Sequence, residues 1–128
     1  MKEPLFLTLD EVLALHEDQI QRYGGSSAVR DIGPLESALG SAAATFDGVF
    51  LHTTLFEMAA ALLYGICRNH PFVDGTERTA VAAALTFLEM NGATIDAGED
   101  EFYDLVIGVA EGRVSKSAVA VFLHDGKA

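Results

Sequence analysis

The feature that most limits how this chain can fold is the run Leu55–Cys67, which is apolar almost all the way round a helical projection. A helix with apolar residues on every side has to be buried on most of them. Thr54, followed three residues later by Glu57, has the form of a capping box and predicts a helix over 54–68. The most apolar part, Met58 to Cys67, lies between Glu57 and Arg68 and is too short to span a bilayer. The other elements must therefore be wrapped around a central buried helix.

The flanking segments read as amphipathic helices. Leu9, Val12, Leu13, His16, Ile20 and Tyr23 share one face of a helix over 8–23, with Thr8 and Glu11 as a capping box and Gly24-Gly25 as the stop. His16 on that face is read as a hydrogen-bonded core histidine. Pro34 is taken as a first helical residue, followed by the apolar positions Leu35, Ala38 and Leu39. Asp47-Gly48, between apolar residues of 45–52, signals a turn or small hairpin. A helix over 75–90 is expected to end at Asn91-Gly92 and to turn Val81, Leu85 and Leu88 to the core. A further helix over 99–111 starts in the acidic run Gly98–Glu101, and Ser115 caps a last one to about Leu123. The fold class is all-α, about six helices, with a small β-hairpin.

No linker, repeat or low-complexity stretch divides the 128 residues, so one domain over 1–128 is expected. A net charge of −11 repels phosphate backbones and argues against nucleic acid as a partner. The single cysteine, Cys67, excludes an internal disulfide and a multi-cysteine zinc site, and its apolar surroundings make it an inert thiol. The Met1 end lacks the pattern of a signal peptide and no segment reads as membrane-spanning, which sets a cytoplasmic protein as the expectation. His52 and His124 have no partner at metal-ligand spacing and are read as surface residues. His70 and Asp74 are four apart, but the Pro71 turn keeps them off one helical face as a zinc pair.

The chemically loaded segment is His70-Pro-Phe-Val-Asp-Gly-Thr-Glu-Arg78. Asp74 is positioned to cap the next helix, leaving the amides of Gly75, Thr76 and Glu77 as unpaired helix-start donors, which form an anion site. Gly75 lets a ligand approach the backbone closely, and Arg78 adds a planar cationic fork suited to phosphate. His70 could serve as a general base at the same point, with Asp74 as a carboxylate for Mg2+ and Phe72 as the anchor of the loop.

This segment resembles the signature of the Fic/Doc family, His-x-Phe-x-Asp/Glu-Gly/Ala-Asn-Gly/Lys-Arg between two central helices. His70, Phe72, Asp74, Gly75 and Arg78 match it. Thr79-Ala80, Arg22-Tyr23-Gly24-Gly25, Asn91-Gly92 and the chain length are similar to the short Doc (death-on-curing) branch. The resemblance implies a toxin, neutralised by a small antitoxin protein, that transfers phosphate or AMP from ATP to a protein hydroxyl, with elongation factor Tu as a target of that branch. It also implies His70 as base, Asp74 as Mg2+ ligand, Gly75, Thr76 and Glu77 as cradle, Arg78 on phosphate, and 45–52 as a flap that adds a target peptide as a strand. No Ser/Thr-x-x-x-Glu-Gly/Asn inhibitory motif of the family is present, consistent with control by a separate chain.

Thr76 stands where the family has Asn, Glu77 where it has Gly or Lys, and Val81 replaces the second arginine of the Fic branch. A carboxylate about 4 Å from a phosphate costs on the order of 4 kcal/mol at an effective dielectric near 20, roughly a thousandfold in affinity. Asp74 with Glu77 also has the spacing of a capping box, which would close the helix start with the protein's own carboxylates. The sequence leaves three readings: an active transferase with an adapted cradle, a catalytically silent binding protein of the same fold, or an enzyme using a less negatively charged donor.

Overall fold

The computed structural model describes residues 3–128; Met1 and Lys2, part of the end expected to carry no leader, lie outside them. Its elements run α1 (Leu9–Tyr23), α2 (Ile32–Ala42), β1 (Thr45–Phe46), β2 (Val49–Phe50), α3 (Leu55–Asn69), α4 (Thr76–Met90), α5 (Glu99–Ala110) and α6 (Lys116–Asp125). This is an all-α fold of six helices with one two-stranded hairpin. No helix among the described residues is long and apolar enough to cross a membrane.

The apolar run forms α3, and α2, α4, α5 and α6 all pack against it. Met58 to Leu63, Ile66 and Cys67 are buried. Thr54 Oγ1 accepts from the Glu57 amide, and Glu57 Oε1 accepts from the Thr54 amide, which is the capping box read from the sequence. Thr8 and Glu11 start α1 in the same way. Small residues let neighbours come close: a Cβ on Gly65 would lie 2.9 Å from the Ala38 Cβ of α2.

Two boundaries and one face differ from expectation. Helix α2 starts at Ile32 because Asp31 caps it, its Oδ1 accepting from the Gly33 amide, so Pro34 sits third in the helix. A proline is tolerated there because a first-turn N–H has no intrahelical partner to lose. Helix α4 starts at Thr76, one residue later than expected, and buries Thr76, Thr79, Ala80, Ala83, Ala84, Phe87 and Leu88, whereas Val81 and Leu85 are only half-buried. The alanine-rich stripe faces inward because short side chains let α4 pack directly on α3. The larger Val81 and Leu85 are left facing α5, where they line a groove.

The hairpin pairs Thr45 with Phe50 and Phe46 with Val49. Asp47 and Gly48 both have positive φ, 52° and 77°, the backbone signature of a tight two-residue turn between twisted strands. Phe46 and Val49 stay exposed at its tip.

Candidate active site

The loop from α3 to α4 carries the motif. His70 caps α3 in the left-handed region (φ 49°, ψ 60°), with its amide donating to the Ile66 carbonyl at 3.0 Å. The helix therefore ends there and the chain turns sharply. The α1–α2 loop straps the motif loop beyond His70: Arg30 and Asp31 amides both donate to the Pro71 carbonyl, and the Val73 amide donates to the Ala28 carbonyl. Phe72 is fully buried, as expected of an anchor.

Asp74 does not cap α4. Gly75 is the capping residue, at φ 77°, and among the described residues no side chain hydrogen-bonds the helix start. The Asp74 carboxylate instead turns toward the end of α1, where Oδ2 accepts from the Ser26 amide at 2.7 Å. Its carbonyl accepts from Nε2 of His16 at 2.8 Å. This carbonyl bond requires His16 to carry its proton on Nε2. The positive φ of Gly75 explains the change: it rotates the backbone so that the Asp74 side chain leaves the helix axis, and the α4 start is left open.

The Asp74–Glu77 capping box is absent as well. Glu77 extends toward the end of α3, with Oε2 3.9 Å from His70 Nδ1. The Thr76 hydroxyl is buried and donates to the Phe72 carbonyl at 3.3 Å, away from the helix mouth. The first-turn amides of α4 are thus not covered by the chain's own carboxylates, and such amides favour an anion. Arg78 is exposed and stacks over the Tyr23 ring, 4.9 Å from the ring centre, rather than pairing with Glu77 or Asp74.

Gly75, Glu77 and Arg78 line a groove of about 670 Å3 between α1, α4 and α5, together with Tyr23, Gln19 and Tyr103. His70 and Asp74 are not part of its wall; His70 neighbours Glu77, and the Asp74 carboxylate is held at the Ser26 amide. A separate cavity of about 390 Å3 between the start of α3 and α6 contains none of the motif residues. It holds His124, on the surface as expected, and His52, which is half-buried instead. Burial, and then the nearby Lys116 charge, hold the His52 imidazole below its ordinary value.

No group of three or more His, Cys, Asp or Glu side chains among the described residues forms a metal cage. Asp74 has one carboxylate oxygen engaged by Ser26 and a second without a hydrogen bond among the described residues. One free carboxylate oxygen suits Mg2+, which is commonly held by one or two carboxylates with substrate phosphates and water completing the shell. It does not suit a preformed zinc site.

The role of Tyr23 and the anchoring pair His16 and Ser26 were not assigned from the sequence. Tyr23 falls within the Arg22–Gly25 stretch that matched the short Doc branch, which was its one signal. His16 could be read as buried, but not as bonded to Asp74 58 residues away.

The buried central helix leads through His70 and the buried Phe72 to an uncapped helix start. Residues 6–88 match the Fic/DOC family, and the chain belongs to that family. It is 38% identical over 113 residues to the protein kinase doc of Escherichia phage P1, covering 87% of this chain and 86% of that protein. It is 47% identical over 78 residues to the toxin Doc of Mycolicibacterium smegmatis, covering 61% of this chain and 60% of that protein.

Proposed function

We propose that the chain is a Doc-like toxin of a toxin–antitoxin pair that transfers a phosphate-containing group, phosphate or AMP, from a nucleotide to a protein hydroxyl. The kinase and toxin names of its two relatives support this reading. The observation that carries it is the uncapped start of α4, with Arg78 one turn in and His70 one short loop before it.

In this reading the amides of Thr76 and Glu77, with Gly75 keeping the approach clear, receive the donor's phosphate, and Arg78 holds it from the side. Preorganised donors of this kind stabilise charge that builds up on the transferring group. His70 accepts the proton of the target hydroxyl as its oxygen bonds to phosphorus, and the bond to the bridging oxygen of the donor breaks. Asp74 would hold Mg2+, which supplies neutralisation of phosphate charge when bound. The hairpin would receive a segment of the target, with elongation factor Tu as a candidate, and a small antitoxin protein would cover the site. We treat residues 1–128 as one domain acting in the cytoplasm, with ATP as donor.

A silent binding protein of the same fold is the second reading. It is favoured by the Thr76 hydroxyl facing inward and by the carboxylate of Glu77 beside the cradle. Label transfer decides between them. Extract is incubated with the protein and ATP labelled at the α- or, separately, the γ-phosphate. A labelled protein band that vanishes with His70→Ala supports a transferase, and the labelled position separates AMP transfer from phosphorylation. No His70-dependent label from either donor would leave the silent reading or a different donor.

A further inference from the structure

We propose that Glu77 is a positioning residue for His70: its carboxylate accepts the Nδ1–H of the imidazole and so presents Nε2 as the basic nitrogen. The proposal deepens the transferase reading, in which His70 is the base.

Two observations converge on it. Glu77 Oε2 lies 3.9 Å from His70 Nδ1, and His70 is the one basic side chain within 4.0 Å of that carboxylate among the described residues. The same oxygen is almost entirely shielded from solvent and has no hydrogen-bond partner. A shielded carboxylate oxygen without a donor is costly, and such an atom normally marks a missing partner. The helix start is not that partner, because no side chain caps α4. The His70 ring is the donor within reach.

The backbone makes the contact persistent. The His70 amide is bonded to Ile66 and its φ and ψ are those of a fixed left-handed cap, so rotation of the side chain is the freedom that remains. Glu77 sits in the first turn of α4, a rigid element packed on α3. The 3.9 Å separation is about 1 Å longer than a hydrogen bond, and catalytic hydrogen bonds are often long before substrate arrives.

The chemical consequence lies in the imidazole itself. A carboxylate on Nδ1–H selects the tautomer with a free lone pair on Nε2 and stabilises the imidazolium that forms when Nε2 takes a proton. The same contact gives the negative charge of Glu77 a cationic partner once the imidazole is protonated. This weakens the repulsion toward phosphate that its place in the motif would otherwise bring.

The test uses the full chain labelled with 15N. Long-range proton–nitrogen spectra report which ring nitrogen of neutral His70 carries the proton, with His70→Gln assigning the signals. The expected result is protonated Nδ1 in the parent and a shift to the Nε2–H form in Glu77→Ala, with thermal melts confirming that the variant is folded. In the label-transfer assay Glu77→Gln, which keeps the shape and removes the charge, is expected to lower kcat by about 10- to 100-fold, less than the roughly 100- to 10,000-fold of losing a general base outright because His70 itself remains, with KM for ATP changed less than about twofold. Protonated Nε2 in the parent, a tautomer unmoved by Glu77→Ala, or kcat maintained in Glu77→Gln overturns the proposal. If the parent transfers no label at all, the transferase reading with ATP as donor falls, while the tautomer result still decides whether Glu77 positions the ring.

Discussion

The imidazole of His16 lies flat on the ring of Phe72, centroids 3.7 Å apart and planes 6° from parallel, while its Nε2 donates to the Asp74 carbonyl at 2.8 Å. One buried side chain of α1 thus holds two residues of the motif loop. His16→Phe keeps a ring on Phe72 but leaves the Asp74 carbonyl without its donor. It is expected to cost about 1–3 kcal/mol. His16→Ala also opens a cavity and is expected to cost about 3 kcal/mol or more. Urea unfolding of the two variants measures both, and equal stability of His16→Phe and the parent would show that the Asp74 bond contributes nothing.

The end of α1 and the motif loop touch at Gly25. Its φ is 112°, and a Cβ there would meet the Asp74 Cβ at 3.0 Å. Gly24, at φ 86°, has nothing within 4 Å of the equivalent point. Alanine at either position carries the strain of a positive φ, about 1–3 kcal/mol. Only Gly25→Ala also displaces Asp74 from the Ser26 amide. Gly25→Ala should therefore be the less stable of the two in parallel denaturant titrations. Equal losses would mean that the strap yields without cost.

Local signals were legible in residue order. Thr8 with Glu11, and Thr54 with Glu57, mark helix starts because cap and partner are three residues apart. The central place of α3 comes from the absence of a polar face. The misread positions involve either competition between local signals or distance along the chain. Asp31 outranks Pro34 as the start of α2. The alanines of α4 have little individual hydrophobicity, so the larger Val81 and Leu85 dominate the apolar pattern without forming the core face. Asp74 has the right type and place for a cap, but its donor is the Ser26 amide, 48 residues away, and the backbone rotation at Gly75 turns its side chain aside. The motif residues were legible as a set; the direction each carboxylate takes was not, because it is decided by contacts that only the folded chain brings together.

Glu57 offers a test at acid pH. Its Oε1 accepts from the Thr53 hydroxyl at 2.8 Å and from the Thr53 and Thr54 amides at 3.0 Å each. The Thr53 hydroxyl bond, the largest cause, and the amide bonds hold its carboxyl below the ordinary value of 4.5. A carboxyl depressed in the folded state contributes stability that is present above 4.5 and lost as pH falls through the folded value. Glu57→Gln should be less stable than the parent near neutrality, and the difference should shrink as the pH drops below about 4. Because the carboxyl lies at the protein surface and is only partly covered, solvent screening keeps the effect small. A difference independent of pH would assign the loss to the cap geometry and not to charge.

Cys67 offers the opposite test at alkaline pH. The thiol is buried in α3, and burial first, then the charge of Glu77, push it from 9.0 up to about 12. The native chain thus keeps its proton while the unfolded chain releases it. Stability is complete below 9.0 and falls as pH rises from there toward 12. Between about pH 8 and pH 10 the parent should lose about 1 kcal/mol more than Cys67→Ala, since each unit of differential titration amounts to about 1.4 kcal/mol. Comparing the two chains cancels the lysines and tyrosines that titrate in the same range. Thiol labelling provides an independent readout: at about pH 8 the folded parent should react with a disulfide reagent far more slowly than the urea-unfolded chain, because the thiolate is the reactive form. Parallel alkaline curves for the parent and Cys67→Ala, with rapid labelling of the folded protein, would place Cys67 in contact with solvent and remove Glu77 as a charge acting on the end of α3.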